Sequence, residues 1–488
     1  GVNVWKSTDG GNIFNIVGHW TGSGAPYVHA DFHALEFQSS TGNVFAGCDG
    51  GIFKTTNGGS SWTDISNNME ITQIYRLGTA ATDVNKIITG LQDNGTALRT
   101  AGNNWKRVMG GDGMESIISH SDSMVMYGEY YYGYIRKSTD GGNNFSTIVN
   151  SNGSGVNEEG PWVTPYIMHP TNSNILLVGK SQIYRSNNGG NNWQQLGTIP
   201  GGNSTQFVHL AYAPSNTNII YAVKRDAVYV TTNSGATWTN ITNNLPNLYI
   251  TYVAVSNTDP NRAYITFSGY NANAKVYYTN NGGVTWYNYT SGLPNVPANC
   301  ITYQNNTNDG VYAGTDIGVF YRNNNMSQWQ YFSEGLPNTV VNELEIHYAS
   351  GKIRAATYGR GVWESPVFSN IQNDLALSSV EQPKGIECQQ QFAPEVTFTN
   401  AGDNTVSTAV IGYYIDANPV QYYNWSGTLA SGESQSVTLS SLTASDGAHI
   451  FTAFTTLPNA GLDTIPSNDS LTVNFTFSST AYPLTLDL

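Results

Sequence analysis

One octapeptide returns along the chain: STDGGNIF at residue 7, TTNGGSSW at 55, STDGGNNF at 138, SNNGGNNW at 186, TTNSGATW at 231 and TNNGGVTW at 279. A worn copy ends at Trp329, and another ends at Trp105 inside the long interval between 55 and 138. The underlying period is therefore about 40–48 residues, the length of a four-stranded blade in a repeat architecture. Each period resolves into four short runs rich in β-branched and aromatic residues. In an early period they read HALEFQ, NVFAGC, GIFKTT and WTDIS; in a later one VHLAYA, IIYAVK, AVYVTT and WTNIT. The first two runs, A and B, are mostly apolar, as strands between packed sheets must be. Turn clusters such as PTNSN, PSNTN and TDPNR separate them. This pattern predicts an all-β chain built as a multi-bladed β-propeller.

The octapeptide has a mechanical reading. The side chains of Asp9, Asn57, Asp140, Asn188, Asn233 and Asn281 stand where they accept backbone N–H groups inside a tight turn. The glycine two residues on supplies the positive φ such a turn needs. The closing aromatic (Phe14, Trp62, Phe145, Trp193, Trp238 or Trp286) is expected to anchor the fourth strand between blades. The element resembles the Asp-box, S/T-x-D/N-x-G-x-x-W/F, which implies a structural turn away from any catalytic face.

Seven complete units run from about residue 29 to 333, and 340–368 supplies strands A, B and C of another, giving about eight blades in all. Residues 2–17 supply only strands C and D. Either the two ends share one composite blade or Gly1 sits mid-blade and a longer propeller begins earlier. The propeller is thus placed at 1–368, with 369–374 as a linker. From 375 to 478 the octapeptide vanishes, and about seven short alternating strands suggest an Ig-like β-sandwich. Residues 479–488 are a tail or the start of a further module. DLAL at the start of the second domain and SNDS near its end resemble the CARDB-type modules of bacterial surface proteins.

Twenty Lys and Arg stand against 34 Asp and Glu, for a net charge of −14. Such a chain repels phosphate backbones, so no nucleic-acid partner is expected. No apolar run reaches the roughly 18–20 residues of a membrane span, so no membrane insertion is expected either. Cys48, Cys300 and Cys388 are too few for a disulfide scaffold and lack CxxC spacing. Over residues 1–368, the phrases VHADFHALEF, FAGCDGGIFKTTNGG, TGLQDNGT and ATYGRGVWES resemble sortilin-like and BNR-repeat propellers of secreted bacterial proteins. With the CARDB-like module, the chain resembles a type IX secretion cargo of Bacteroidota. That resemblance implies an extracellular or cell-surface location and assembly with other surface proteins.

In a four-stranded blade the D–A and B–C loops share one face, opposite the octapeptides. That face collects the candidate site residues. Trp162, Tyr130, Tyr131, Tyr132, Asp93 and Arg360 suit stacking on sugar rings or gripping a peptide. His29, Asp31 and His33 alternate at i, i+2 and i+4, so on a strand they point one way and suit a shared zinc or calcium. Apart from such an ion, no cofactor is implied. Asp49, in CDGGIF, resembles the catalytic Asp of xyloglucan-cleaving two-propeller hydrolases, which implies a partner such as Asp112 or Glu115. Asp93 and Asp316 occupy the same blade position as Asp49, which argues for a turn role instead. Sialidase, Ser–His–Asp, P-loop and dinucleotide signatures are absent. The leading expectation is a non-enzymatic adhesion protein whose propeller mouth binds a glycan or protein. The alternatives are a two-propeller-type polysaccharide hydrolase and a structural subunit of a surface assembly.

Overall fold

A computed structural model describes residues 1–150, 154–199, 206–369, 373–389 and 391–479. The chain divides into two compact units, Gly1–Val367 and Phe368–Leu488. The final residues of the expected tail and part of the expected linker lie outside the described residues.

Among the described residues, the first unit contains seven four-stranded antiparallel sheets, one three-stranded sheet and a short N-terminal hairpin. The eight larger sheets are blades 1 to 8. Their strands A are Phe32–Gln38, Ile74–Thr79, Gly113–Ile118, Tyr166–His169, Phe207–Tyr212, Ile250–Val255, Ala298–Tyr303 and Val340–His347. The all-β propeller read from the octapeptide spacing is the fold.

All six intact octapeptides form the same turn. The fifth-position glycine has φ between 86° and 94° and donates its N–H to the first-position Ser or Thr hydroxyl at 2.8–2.9 Å. The Asp or Asn Oδ1 accepts the N–H four residues on at 2.9–3.0 Å. The closing tryptophan packs on the preceding blade. Trp193 joins the apolar cluster of blades 3 and 4, Trp238 that of blades 4 and 5, and Trp286 that of blades 5 and 6. Phe14 is 57% exposed, so the anchoring role does not extend to the first copy.

Blades 2 to 8 form a ring of seven. Their strands A lie side by side in chain order, and strand A of blade 8 lies against strand A of blade 2. Side chains complete this seam. The Leu77 N–H donates to Glu343 Oε2 (2.6 Å), and Asn342 Nδ2 donates to the Ile74 carbonyl (2.8 Å). Blade 1 stands outside the ring. Its strand A leaves Leu35 55% and Phe37 65% exposed. The composite blade considered from the sequence does not form: the N-terminal strands Asn3–Lys6 and Asn15–His19 pair with each other, not with blade 8.

The second unit is a β-sandwich. A three-stranded sheet and a five-stranded sheet enclose one core that includes Leu377, Phe398, Ile411, Tyr413, Phe451 and Phe475. No helix among the described residues is long and apolar enough to cross a membrane. All three cysteines are free.

Candidate functional site

Several of the carboxylates and aromatics expected at the mouth gather where blade 1 meets blade 2 and blade 2 meets blade 3. Asp93 sits in the B–C turn of blade 2 with φ 59°, a left-handed conformation that Asp tolerates better than most residues. Its N–H donates to Asp112 Oδ1 at 2.7 Å. Its carbonyl is 3.0 Å from His29 Nε2, and Asn94 Nδ2 donates to the Asp49 carbonyl, also at 3.0 Å. These bonds tie the B–C turns of blades 1 and 2 together. Burial first, then the charges of Asp112, Asp49 and Asp31, holds the Asp93 carboxyl above its usual range against an opposing hydrogen bond with Gln92. Asp49 itself lies 2.6 Å from His33 Nε2.

Beside the carboxylates is an aromatic platform. The Tyr131 and Trp162 rings stack with centroids 5.4 Å apart and an interplanar angle of 1°. Tyr132 meets the Trp162 ring edge-on at 5.2 Å, and Tyr130 lies 4.1 Å from Tyr131. Trp162 and Tyr132 are each 39% exposed. Three residues not singled out from the sequence connect platform and acids. Trp162 Nε1 donates to the Tyr75 hydroxyl (3.2 Å), which donates to Gln92 Oε1 (3.0 Å), the neighbour of Asp93. Tyr358 packs on Tyr75 at 5.8 Å, and burial with the nearby Tyr75, Asp93 and Asp112 pushes its phenol well up. Trp162 also borders a cavity of about 510 Å³ lined by Arg76, Arg225, Tyr249, Asn299 and Asn342.

Other expected site residues fall elsewhere. His29, Asp31 and His33 do not form a metal site. Asp31 has φ 57°, so the strand begins only at Phe32 and the alternation that would align the three side chains is broken. His29 is turned to backbone carbonyls and His33 to Asp49. Glu115 is 7% exposed and lies 3.4 Å from Arg76 Nε, so it braces the ring from within rather than opening onto the rim. Arg360 lines a groove of about 590 Å³ between blades 2 and 8 with Trp105 and Trp363. The turn residues Asp49, Asp93 and Asp316 are not equivalent, since Asp316 accepts from Asn299 Nδ2 at 3.0 Å.

Neither a known family's sequence model nor a curated protein sequence matches this chain. Solved structures do. The GH74 xyloglucanase of Xanthomonas campestris matches with a TM-score of 0.50 and 11% identity over 68% of this chain and 58% of its own. An ancestral GH74 enzyme matches at 0.49 and 14%, covering 82% of this chain and 62% of its own. The GH74 enzyme of Niastella koreensis matches at 0.46 and 17%, covering 88% and 72%. The chain thus spans about three fifths of the length of the first two. What these likenesses share with the present chain is the propeller fold. The leading expectation of a non-enzymatic adhesion protein is not what the comparison returned: the xyloglucanase matched here is a glycoside hydrolase, and its likeness to this chain is one of fold.

Proposed function

We propose that the propeller unit is a glycoside hydrolase cleaving a polysaccharide laid along the rim where blade 1 meets blade 2. The observation that carries this reading is the environment of Asp93. A carboxyl held above its usual range by burial and by three neighbouring carboxylates keeps its proton to higher pH than an ordinary aspartate, as a general acid must. Asp93 protonates the glycosidic oxygen as the bond to the anomeric carbon breaks. Asp49, from the adjoining blade, is the second carboxylate and serves the anomeric side of the cleavage. Asp112 positions the acid by accepting the Asp93 N–H. The exposed faces and edges of Trp162 and Tyr132 stack on sugar rings to either side of the cut. The xyloglucanase fold likeness makes β-glucan backbones the first substrates to try, and a role outside the cell, where such polymers occur, is part of the proposal.

The test is reducing-sugar release from xyloglucan and unbranched β-glucans by the full chain, with Asp93→Asn and Asp49→Asn alongside. Removal of the general acid is expected to lower kcat/KM about 10²–10⁴-fold on natural polymers. The loss should be much smaller on aryl glycosides, whose leaving group needs no proton. A wild-type chain inert on every polymer, or an Asp93→Asn variant as active as wild type, would sink the reading.

A further inference from the structure

The second unit contains a cluster of acids with no counter-charge. Asp374, Asp463 and Asp469 bring one carboxylate oxygen each within 4.8 Å of one another. Asp374 is 1% exposed, yet its Oδ1 has no hydrogen-bond partner; its Oδ2 accepts from Asn468 Nδ2 at 3.3 Å. The side-chain oxygen of Asn468 and Oδ1 of Asp469 are likewise buried and unpartnered. A buried polar oxygen left without a partner is costly, and three at one place demand an explanation. No protein cation answers them. Lys384 is the only Lys or Arg from residue 368 to the end of the chain, and it is paired with Glu381 at 2.7 Å.

We infer that Asp374, Asp463, Asn468 and Asp469 form a calcium-binding site. The donors are all hard oxygens, three of them carboxylates, which is the set calcium prefers over zinc or other nitrogen- and sulfur-seeking metals. Asp463 is fixed for the task because its two oxygens accept the backbone N–H groups of Leu375 (2.9 Å) and Ile465 (3.0 Å), leaving lone pairs on each. The partial exposure of Asp463 and Asp469 gives an ion and its remaining waters access from solvent. Topology gives the ion a purpose. Asp374 immediately precedes strand Leu375–Gln382 of the three-stranded sheet, whereas Asp469 immediately precedes strand Ser470–Phe477 of the five-stranded sheet. One calcium therefore clamps the two sheets of the sandwich at one end.

Calorimetric titration of the EGTA-stripped full chain with CaCl2 tests this, together with thermal melting in CaCl2, MgCl2 and EGTA. One ion per chain is expected, with an upward melting shift that calcium produces more strongly than magnesium. Asp469→Asn, at a half-buried position, should keep the calcium-free circular dichroism of wild type and bind calcium at least about tenfold more weakly. Asp93→Asn and Asp49→Asn, on the propeller rim, should bind it unchanged. The inference is overturned by the absence of binding heat and of a melting shift at millimolar calcium. It is equally overturned by Asp469→Asn binding as wild type, by rim variants losing the site, or by magnesium matching calcium.

Discussion

Trp286 is where the repeat can be tested as a structural joint. Its side chain is 2% exposed in the cluster shared by blades 5 and 6, and Nε1 donates to the Ile241 carbonyl of the preceding blade at 2.8 Å. Its backbone is held separately: Asn244 accepts the Trp286 N–H at 3.0 Å and donates to its carbonyl at 2.8 Å. Truncation therefore removes the side chain while the turn stays anchored. A buried tryptophan removes about 150–250 Å² from water, which at about 25 cal/mol/Å² gives about 4–6 kcal/mol as an upper bound. Measured large-to-small core substitutions of Trp and Phe cost about 3–5 kcal/mol. Trp286→Ala is thus expected to destabilise by about 4 kcal/mol. Trp286→Phe, which keeps most of the packing but strands the Ile241 carbonyl, should cost about 1–2 kcal/mol. Phe14→Ala, at the 57% exposed copy, should cost no more than about 0.5 kcal/mol. Urea unfolding gives the totals. Hydrogen exchange in the strands of blades 5 and 6 shows whether the loss is local to that joint. A Trp286→Ala variant within about 1 kcal/mol of wild type, or a Phe14→Ala variant as damaged as Trp286→Ala, would refute the view that the closing aromatic joins each blade to the one before.

Two pH-dependent outcomes follow from buried and turn carboxylates. Asp140 accepts the Asn144 N–H and side chain, which holds its pKa down at about 2 against an ordinary 3.8; its contribution to stability is complete above pH 4 and fades as pH falls toward 2. Because four copies of the octapeptide carry Asn at this position, Asp140→Asn should fold as wild type and lose that acid-side dependence in melting curves between pH 2 and 4. Glu129 is fully buried, and burial pushes it up to about 8 although it accepts N–H groups from Thr164, Gly133 and Glu115. Its folded pKa lies above the unfolded value, so its contribution is present below about pH 4.5 and lost as pH rises through 8. Glu129→Gln should flatten the melting temperature across that window, and an unchanged slope would argue against the assignment.

The octapeptide made the blades legible because its turn is local: a hydroxyl, an Asx side chain and a glycine within five residues form it without help. Ring membership was not legible, because it depends on which strands A find neighbours. Blade 1 carries an intact octapeptide and remains outside the ring, whereas blade 2 has only the worn copy ending at Trp105, 42% exposed, and lies within it. Sorting loops by face found Tyr130–Tyr132, Trp162, Asp93 and Asp112, since loops on one face of a propeller converge by geometry. Tyr75 and Gln92 were missed because they sit at strand edges with no motif, although their nearness to the same loops was a usable signal. The His29–Asp31–His33 reading failed on one backbone angle, the left-handed φ of Asp31. In the sandwich, Asp374 lies about ninety residues before Asp463 and Asp469, and only strand pairing brings it to them.

Repetition around a ring argues against catalysis, because an active site is needed once. The same loop position is filled by Asp49, Asp93 and Asp316, so what matters is what distinguishes them. Asp316 faces an amide from its own blade, as a turn residue does. Asp93 faces Asp112 on one side and, on the other, Asp49 and Asp31 of a blade that stands outside the ring. The additional blade is thus the element that breaks the sevenfold equivalence. It brings extra negative charge to one B–C turn, and that turn is linked to the stacked Tyr131–Trp162 platform through Gln92 and Tyr75. Burial first, then Asp112 and the acids of blade 1, hold this carboxyl above its usual range beside aromatic faces, and the proposed hydrolase reading rests on that combination. Moving the same aspartate one blade around the ring would leave it a turn.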